Sequence, residues 1–145
     1  MMEEIYEKYS DERGYLRNIL FLWLGVRLIY SGFETYLSVT IIQNPAVRIL
    51  SILASLAIYL MVARDIYKGQ RAGASVMLFG AVYQAYLLVS NFDLMGFKIY
   101  SPLMKAYAVI MAVVTVLQTA TAIYILASKM LKPYFEEIQS LEREG

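Results

Sequence analysis

The stretch ILSILASLAIYLMVA, residues 49–63, contains no charged side chain. A bilayer core is about 30 Å thick, and a helix needs about 20 mostly apolar residues to cross it. Pro45 precedes this stretch and a polar turn beginning at Arg64 follows it, so the apolar segment between them has roughly that length. The sequence therefore predicts a membrane-spanning helix over about residues 46–63.

The composition of the whole chain also indicates an integral membrane protein. Of its 145 residues, 59% are hydrophobic and 17% are charged, and the mean hydropathy is +0.53. Soluble domains average about 45–50% apolar and about 25% charged residues. A net charge of +1 offers no field that would recruit nucleic acid. Because the chain has neither cysteine nor histidine, we expect no metal site and no cofactor.

Three further apolar runs predict three further spans, over about residues 15–42, 72–90 and 103–128. Four spans use most of the chain. The predicted fold is therefore all-α, a four-transmembrane-helix bundle forming a single domain over residues 1–145. Beyond the last span, apolar residues recur at helical spacing in the segment PYFEEIQSLEREG. They predict a short amphipathic helix over about residues 133–143, lying on the membrane surface or against a partner.

The orientation follows from basic residues near the span ends, which favour the cytoplasmic side. With four spans, one side carries Lys8, Arg13, Arg17, Arg64, Lys68, Arg71, Lys129, Lys132 and Arg143, and the other carries Arg48, Lys98 and Lys105. Both termini are thus expected in the cytoplasm, with the chain in the cell membrane. The acidic N-terminal residues do not resemble a cleaved signal. We interpret them as solvated surface.

Span one holds two charges at a depth where each is costly. In VRLIYSGFET, residues 26–35, Arg27 and Glu34 are seven positions apart, so they share a helix face with Tyr30 and Ser31 between them. A charge facing lipid costs several kcal/mol, and we expect this face to point into the bundle or a cavity. Arg27 and Glu34 are interpreted either as a structural ion pair or as a solute, proton or quinone site. The pair could meet directly, through Tyr30 and water, or through polar groups on the other helices.

Polar groups on the other spans are candidates for the same interior site, namely Gln84, Asn91 and Gln118. Further residues expected inside are Tyr59, Tyr83, Tyr86 and Tyr107, and the serines and threonines Ser51, Ser55, Thr115 and Thr119. The serines and threonines are interpreted mainly as residues that join helices by hydrogen bonds. Gly25, Gly32, Gly73 and Gly80 are interpreted as positions of close helix packing.

The segment from Leu24-Gly25 to Ser31-Gly32 has two glycines seven apart in an apolar and aromatic setting. In this it resembles the opening helix of the DoxX-like family, small four-helix membrane proteins of bacteria and archaea. Such helices tend to carry a basic residue just after the second glycine, where this chain has Phe33, Glu34 and Thr35. Some members are linked to quinone-dependent sulfur oxidation and others to accessory roles, so the resemblance implies a subunit.

Three functions are compatible with these observations. The first is a non-catalytic subunit or assembly partner of a larger membrane complex, because the loops are too short to hold a soluble site. The second is a small homo-oligomeric transporter or channel with a polar pathway through the membrane. The third is a DoxX-like, quinone-associated redox subunit. An enzyme acting alone is not expected, and the expected partners are the lipid bilayer and other membrane subunits or further copies of the chain.

Overall fold

A computed structural model describes residues 1–41, 44–91 and 101–145. Within these ranges the chain forms six helices and no strand, which confirms the all-α class. The helices are α1 (Met2–Lys8), α2 (Ser10–Ile41), α3 (Ala46–Tyr67), α4 (Ala72–Asn91), α5 (Pro102–Ala127) and α6 (Lys132–Glu144). The predicted end of span one at residue 42 and Lys98 lie outside the described residues.

Helices α2 to α5 form an antiparallel bundle in which each helix packs against two others. α2 contacts α3 and α5, and α4 contacts α3 and α5. The register of α2 against α3 is visible along their length: the Arg13 guanidinium lies over the Tyr67 ring, Trp23 meets Tyr59, and Glu34 meets Arg48. α2 therefore runs beside α3 from one end of the bundle to the other.

Local sequence explains where the bundle helices begin and end. At the start of α5, the Ser101 side chain accepts a hydrogen bond from the Met104 backbone N–H (3.3 Å). Pro102 follows at the first helical position, where its missing N–H costs nothing. Between α3 and α4 the chain turns at Gly69, whose φ of +97° is readily adopted only without a Cβ.

By length and composition, three described helices could cross a membrane: α3, α4 and α5. This is one fewer than the four that the sequence predicts. α2 is long enough, but Arg27 and Glu34 interrupt its apolar run and lower its hydropathy. The outward faces of the bundle helices are rich in large apolar side chains, including Phe21, Leu28, Ile29, Leu50, Leu53, Phe79, Val82 and Val116. Such a surface suits lipid contact.

Close helix packing occurs at some glycines of the bundle and not at others. A Cβ added at Gly73 would lie 2.6 Å from Ile66 Cγ1, and one at Gly80 would lie 3.0 Å from Gln118 Nε2. The packing interpretation is thus correct for these two glycines. No described atom lies within 4 Å of the corresponding position at Gly25 or Gly32, so the interpretation is wrong for them within a single chain.

Helices α1 and α6 pack together over the end of the bundle that carries the α3–α4 turn, and we call this pair the terminal cap. The Tyr134 hydroxyl of α6 donates to the Tyr67 backbone carbonyl (2.6 Å). Glu137 accepts from the Tyr9 hydroxyl (2.6 Å) and from Lys8 Nζ (2.9 Å). The apolar face of α6 is therefore buried against the chain's own helices, whereas the sequence favoured the membrane surface or a partner.

The described residues form two buried clusters in the interior of the bundle. The larger lies beside the terminal cap and includes Leu16, Leu20, Trp23, Ile66, Met77, Ile125, Phe135 and Ile138. The smaller lies in the half of the bundle nearer Pro45 and consists of Tyr30, Ala108, Met111 and Val114. The capped half is thus well packed, and the cavity described below lies in the other half.

Candidate functional site

A cavity of about 190 Å³ lies between α2, α3 and α4 in the half of the bundle nearer Pro45. Its hydroxyl-bearing lining residues are Tyr30, Ser31, Ser51, Ser55, Tyr59 and Tyr83. We call this space the polar cavity. Ser51 on α3 and Tyr83 on α4 are exposed, so the polar cavity reaches the surface between these two helices.

Arg27 lies at the inner end of the polar cavity, and only 5% of its surface is exposed. Its Nη1 donates to Gln84 Oε1 on α4 (3.0 Å). Its guanidinium carbon lies 4.0 Å from the centroid of the Tyr59 ring and 5.3 Å from that of Tyr30. Within the described residues its Nε has no hydrogen-bond partner. Two cation–π contacts and one amide oxygen therefore compensate this charge, and no carboxylate within residues 1–41, 44–91 and 101–145 does.

Glu34 lies nearer the outer end and is bound by three donors through Oε1. Arg48 Nη2 donates from α3 (3.1 Å), the Tyr30 hydroxyl from α2 (3.1 Å), and the Tyr107 hydroxyl from α5 (3.0 Å). The Glu34 side chain is 14% exposed and that of Arg48 is 48% exposed. A charge-assisted contact of this kind is stronger than one between neutral groups. Glu34 therefore joins three helices at the outer part of the cavity.

The direct ion pair between Arg27 and Glu34 is not formed, because Glu34 pairs with Arg48 instead. Tyr30 nevertheless connects the two residues: its ring lies beside the Arg27 guanidinium and its hydroxyl donates to Glu34. Tyr30 therefore contacts both residues, which is the protein part of the predicted bridge through Tyr30 and water. The position of the face is also as predicted, since Arg27, Tyr30 and Ser31 are all buried.

Five of the seven predicted site residues line the polar cavity, namely Arg27, Tyr30, Ser31, Glu34 and Gln84. Asn91 is exposed at the end of α4 and does not line it. Gln118 is fully buried elsewhere, and its Nε2 donates to the Met77 backbone carbonyl (2.8 Å). Gln118 thus joins α5 to α4. The spacing of residues along one helix could not reveal which face of its neighbour that helix would meet.

Several serines and threonines make bonds different from those predicted. Ser55 donates to the Ser51 carbonyl (2.9 Å), Thr115 to the Met111 carbonyl (2.7 Å), and Thr119 to the Thr115 carbonyl (2.8 Å). Each partner lies one turn earlier on the same helix, a common arrangement for these side chains. These three residues do not join helices through the hydrogen bonds observed.

Sequence reasoning missed the role of Arg48, which it used only to orient the chain. In an antiparallel hairpin, the start of the second helix lies opposite the end of the first, so a long basic side chain at Arg48 can reach Glu34. Tyr107 was correctly expected to face the interior, where its ring stacks on Tyr30 with centroids 6.2 Å apart. Tyr86, also expected there, is exposed.

The polar cavity does not continue through the bundle. Below Arg27, the rings of Trp23 and Tyr59 meet edge to face with centroids 5.4 Å apart. The larger buried cluster follows, with Met77 and Ile125 almost completely buried. In the part of the chain that the structure describes, polar lining is therefore confined to one half of the bundle.

Charge and hydrogen bonding supply the chemistry of the polar cavity. No group of three or more His, Cys, Asp or Glu side chains that could hold a metal occurs within residues 1–41, 44–91 and 101–145. The cavity can bind a small solute through a buried cation, an amide and hydroxyls. No model of a protein family, no curated protein and no solved structure matches the chain.

Proposed function

We propose that the chain is a four-span membrane protein with α2 as the fourth span and both termini in the cytoplasm. The antiparallel register of α2 on α3 supports this assignment, because a helix that follows a spanning helix along its length crosses the same layer. The polar face of α2 is buried in the bundle and its apolar face is exposed, so the charges need not meet lipid. The basic residues near the capped end favour the orientation.

Within this architecture, we propose that the protein binds a small polar solute in the bundle, as a solute-binding or transport protein. The observation that carries this proposal is Arg27, a buried cation that has no carboxylate partner among the described residues and that lines a cavity open to the surface. A charge at the centre of a spanning helix costs about 2.5–3.5 kcal/mol on insertion scales. A purely structural role would be met more cheaply by an apolar residue.

The test is ligand-dependent stability of the purified protein in lipid nanodiscs. A set of small water-soluble acids, amines and neutral compounds is screened for an increase in melting temperature, since a ligand that binds only the folded state stabilises it. We expect at least one class to stabilise the wild type and not Arg27→Gln. Arg17→Gln is the matched control, because Arg17 is an exposed arginine on the same helix that does not line the polar cavity. If no compound raises the melting temperature of the wild type, solute binding is rejected.

A second candidate is an accessory subunit or assembly partner of a membrane complex. The closed inner end of the polar cavity favours it, because a transporter must open the region around Trp23 and Tyr59 to complete a pathway. Such a subunit should co-purify at a fixed ratio with other proteins from native membranes in mild detergent. Recovery of this chain alone as a monodisperse homo-oligomer would favour the first candidate.

A quinone-associated redox role of the DoxX-like kind is a third proposal, which rests on the resemblance of span one. Because the chain has neither cysteine nor histidine, the redox centre would have to come from a partner protein. The same co-purification tests it, since a flavin- or haem-containing protein must then be found in the complex.

A further inference from the structure

We propose that the ligand of the polar cavity is a monoanionic carboxylate held by Arg27. This inference rests on the proposed solute-binding function and adds the chemical class of the ligand. It also assigns separate roles to the two arginines of the cavity, with Arg27 as the anchor and Arg48 as the partner of Glu34.

The charge balance of the cavity favours an anion. Among the described residues, three ionic side chains line the cavity: Glu34 and Arg48 form a salt bridge (3.1 Å), and the positive charge of Arg27 is left unmatched by them. Glu34 also accepts hydrogen bonds from Tyr30 and Tyr107, so its charge is held at the outer part of the cavity. Along the axis of α2, the positions of Arg27 and Glu34 are about 10 Å apart. A cationic ligand would meet the guanidinium of Arg27 without a free carboxylate to bind.

The guanidinium of Arg27 is held in a fixed orientation before any ligand arrives. Gln84 accepts from Nη1, and Tyr59 covers one face of the group at 4.0 Å. A guanidinium carries more N–H groups than this one bond uses, and its planar fork matches the two oxygens of a carboxylate. Because the arginine is already buried and oriented, little side-chain entropy remains to be lost on binding.

The size and lining of the cavity limit the ligand further. A volume of about 190 Å³ corresponds to roughly six water molecules at about 30 Å³ each. Ile52, Leu87 and Met111 form an apolar part of the lining. A ligand with a carboxylate and a small apolar body fits both the polar lining at Arg27 and this apolar part. A phosphate dianion would lose more hydration and find only one unmatched cation, which makes its burial costly.

The opening between Ser51 and Tyr83 allows two sources for such a carboxylate. A short acid would come from water. An amphiphile from the bilayer would place its carboxylate at Arg27 and its apolar chain between α3 and α4. Both sources share the same anchor, and the experiment separates them by chain length.

Binding is measured by calorimetry and by melting temperature with the full chain in nanodiscs. The probes are benzoate, its neutral analogue benzamide, benzylamine, inorganic phosphate, and decanoate. We expect benzoate or decanoate to stabilise the protein and benzamide, benzylamine and phosphate to bind at least tenfold more weakly. Tighter binding of decanoate than of benzoate assigns the ligand to the bilayer, and the reverse order assigns it to water.

Two kinds of variant test the anchor. Arg27→Lys keeps the charge but loses the fork, and we expect it to weaken carboxylate binding at least tenfold. Arg17→Gln should bind like the wild type. Because changes at Arg27 can impair folding, Ser55→Leu provides an independent test: it fills the cavity from the half-buried face of α3 and leaves Arg27 unchanged. It should abolish binding in a folded protein.

The outcomes distinguish this inference from the proposed function. Carboxylate binding that persists in Ser55→Leu or Arg27→Lys at wild-type strength overturns the carboxylate site. Equal binding of benzamide, or preference for benzylamine or phosphate, overturns the ligand class while the binding function stands if Ser55→Leu blocks it. Absence of binding by every probe and by the wider set of small solutes overturns both.

Discussion

Glu34 on α2 forms its salt bridge with Arg48 at the start of α3, and Arg27 donates to Gln84 on α4. The two charges on the buried face of α2 thus contact different neighbouring helices. Glu34 fixes α2 to α3 and α5 at the outer part of the polar cavity, whereas Arg27 fixes α2 to α4 at its inner end. We expect substitutions at the two positions to have separable effects.

Replacing Glu34 with glutamine should weaken the outer end of the bundle without closing the cavity. The amide can still accept from a tyrosine but cannot neutralise Arg48, so we expect a loss of about 1.5–3 kcal/mol, the range for a hydrogen bond to a charged group. Unfolding in mixed detergent micelles measures it. In a double-mutant cycle, Arg48→Gln should cost much less in the Glu34→Gln background. Additive losses would contradict the pairing.

Gly73 and Gly32 should respond oppositely to alanine. At Gly73 a Cβ would lie 2.6 Å from Ile66 Cγ1, so Ile66 must move, and we expect a loss of about 1–3 kcal/mol from overpacking. At Gly32 no described atom is close, and alanine should be neutral or stabilise the helix by up to about 1 kcal/mol. Melting of the two variants side by side measures the difference. Equal losses would mean that Gly32 meets another copy or a partner.

The proposed topology predicts which cysteines a membrane-impermeant maleimide can reach. The natural chain has no cysteine, so single substitutions give a clean signal. Asn44→Cys, before α3, should react in intact cells, and Gln70→Cys, in the α3–α4 turn, only after permeabilisation. Both positions are exposed, so accessibility within the protein is matched. If Gln70→Cys reacts in intact cells and Asn44→Cys only after permeabilisation, the orientation is opposite to the proposed one. Labelling of both sites in intact cells would contradict a spanning α3.

The terminal cap should loosen in acid. Hydrogen bonds from Tyr9 and Lys8 lower the pKa of the Glu137 carboxyl below its ordinary value of 4.5. A group with a lowered pKa stabilises the folded state above that ordinary value, and this contribution is lost as the pH falls through the folded pKa. Hydrogen exchange of α1 and α6, corrected for intrinsic rates, should therefore accelerate below about pH 4.5. Glu137→Gln should exchange faster at pH 7 and lose most of this dependence.

The contact of Glu137 with Lys8 and Tyr9 should also weaken at high pH. The hydrogen bond to Glu137 raises the pKa of the Lys8 ammonium above 10.5 and that of the Tyr9 hydroxyl above 10.0. A raised pKa gives stability that is lost as the pH rises through the folded value. Hydrogen exchange of the terminal cap is thus expected to be slowest, after correction for intrinsic rates, between the acidic range in which Glu137 is protonated and the alkaline range in which Tyr9 and Lys8 lose their protons. Unchanged exchange across the whole range would show that the apolar contacts of Tyr134 and Phe135 hold the cap without Glu137.

Sequence reasoning succeeded where a residue's own helix determines its place. The spacing of Arg27, Tyr30 and Ser31 predicts one buried face, and the structure buries all three. It failed where the answer depends on how helices meet. The bond from Gln118 to α4, the exposure of Asn91 and the pairing of Glu34 with Arg48 depend on the rotation and register of neighbouring helices. The terminal cap was missed for the same reason, since its contacts join residues far apart in sequence.

The bond between Lys8 and Glu137 connects positions 129 residues apart. The partner of α1 therefore does not exist until α6 has been synthesised. Until then Tyr134 and Phe135, which complete the buried cluster around Leu16 and Ile66, are missing, and apolar surface at the capped end stays uncovered. A chain cut short before α6 keeps that surface exposed permanently. The contacts of the terminal cap can therefore form only after synthesis has passed α6, so the capped end of the bundle closes later than the contacts among α2, α3 and α4.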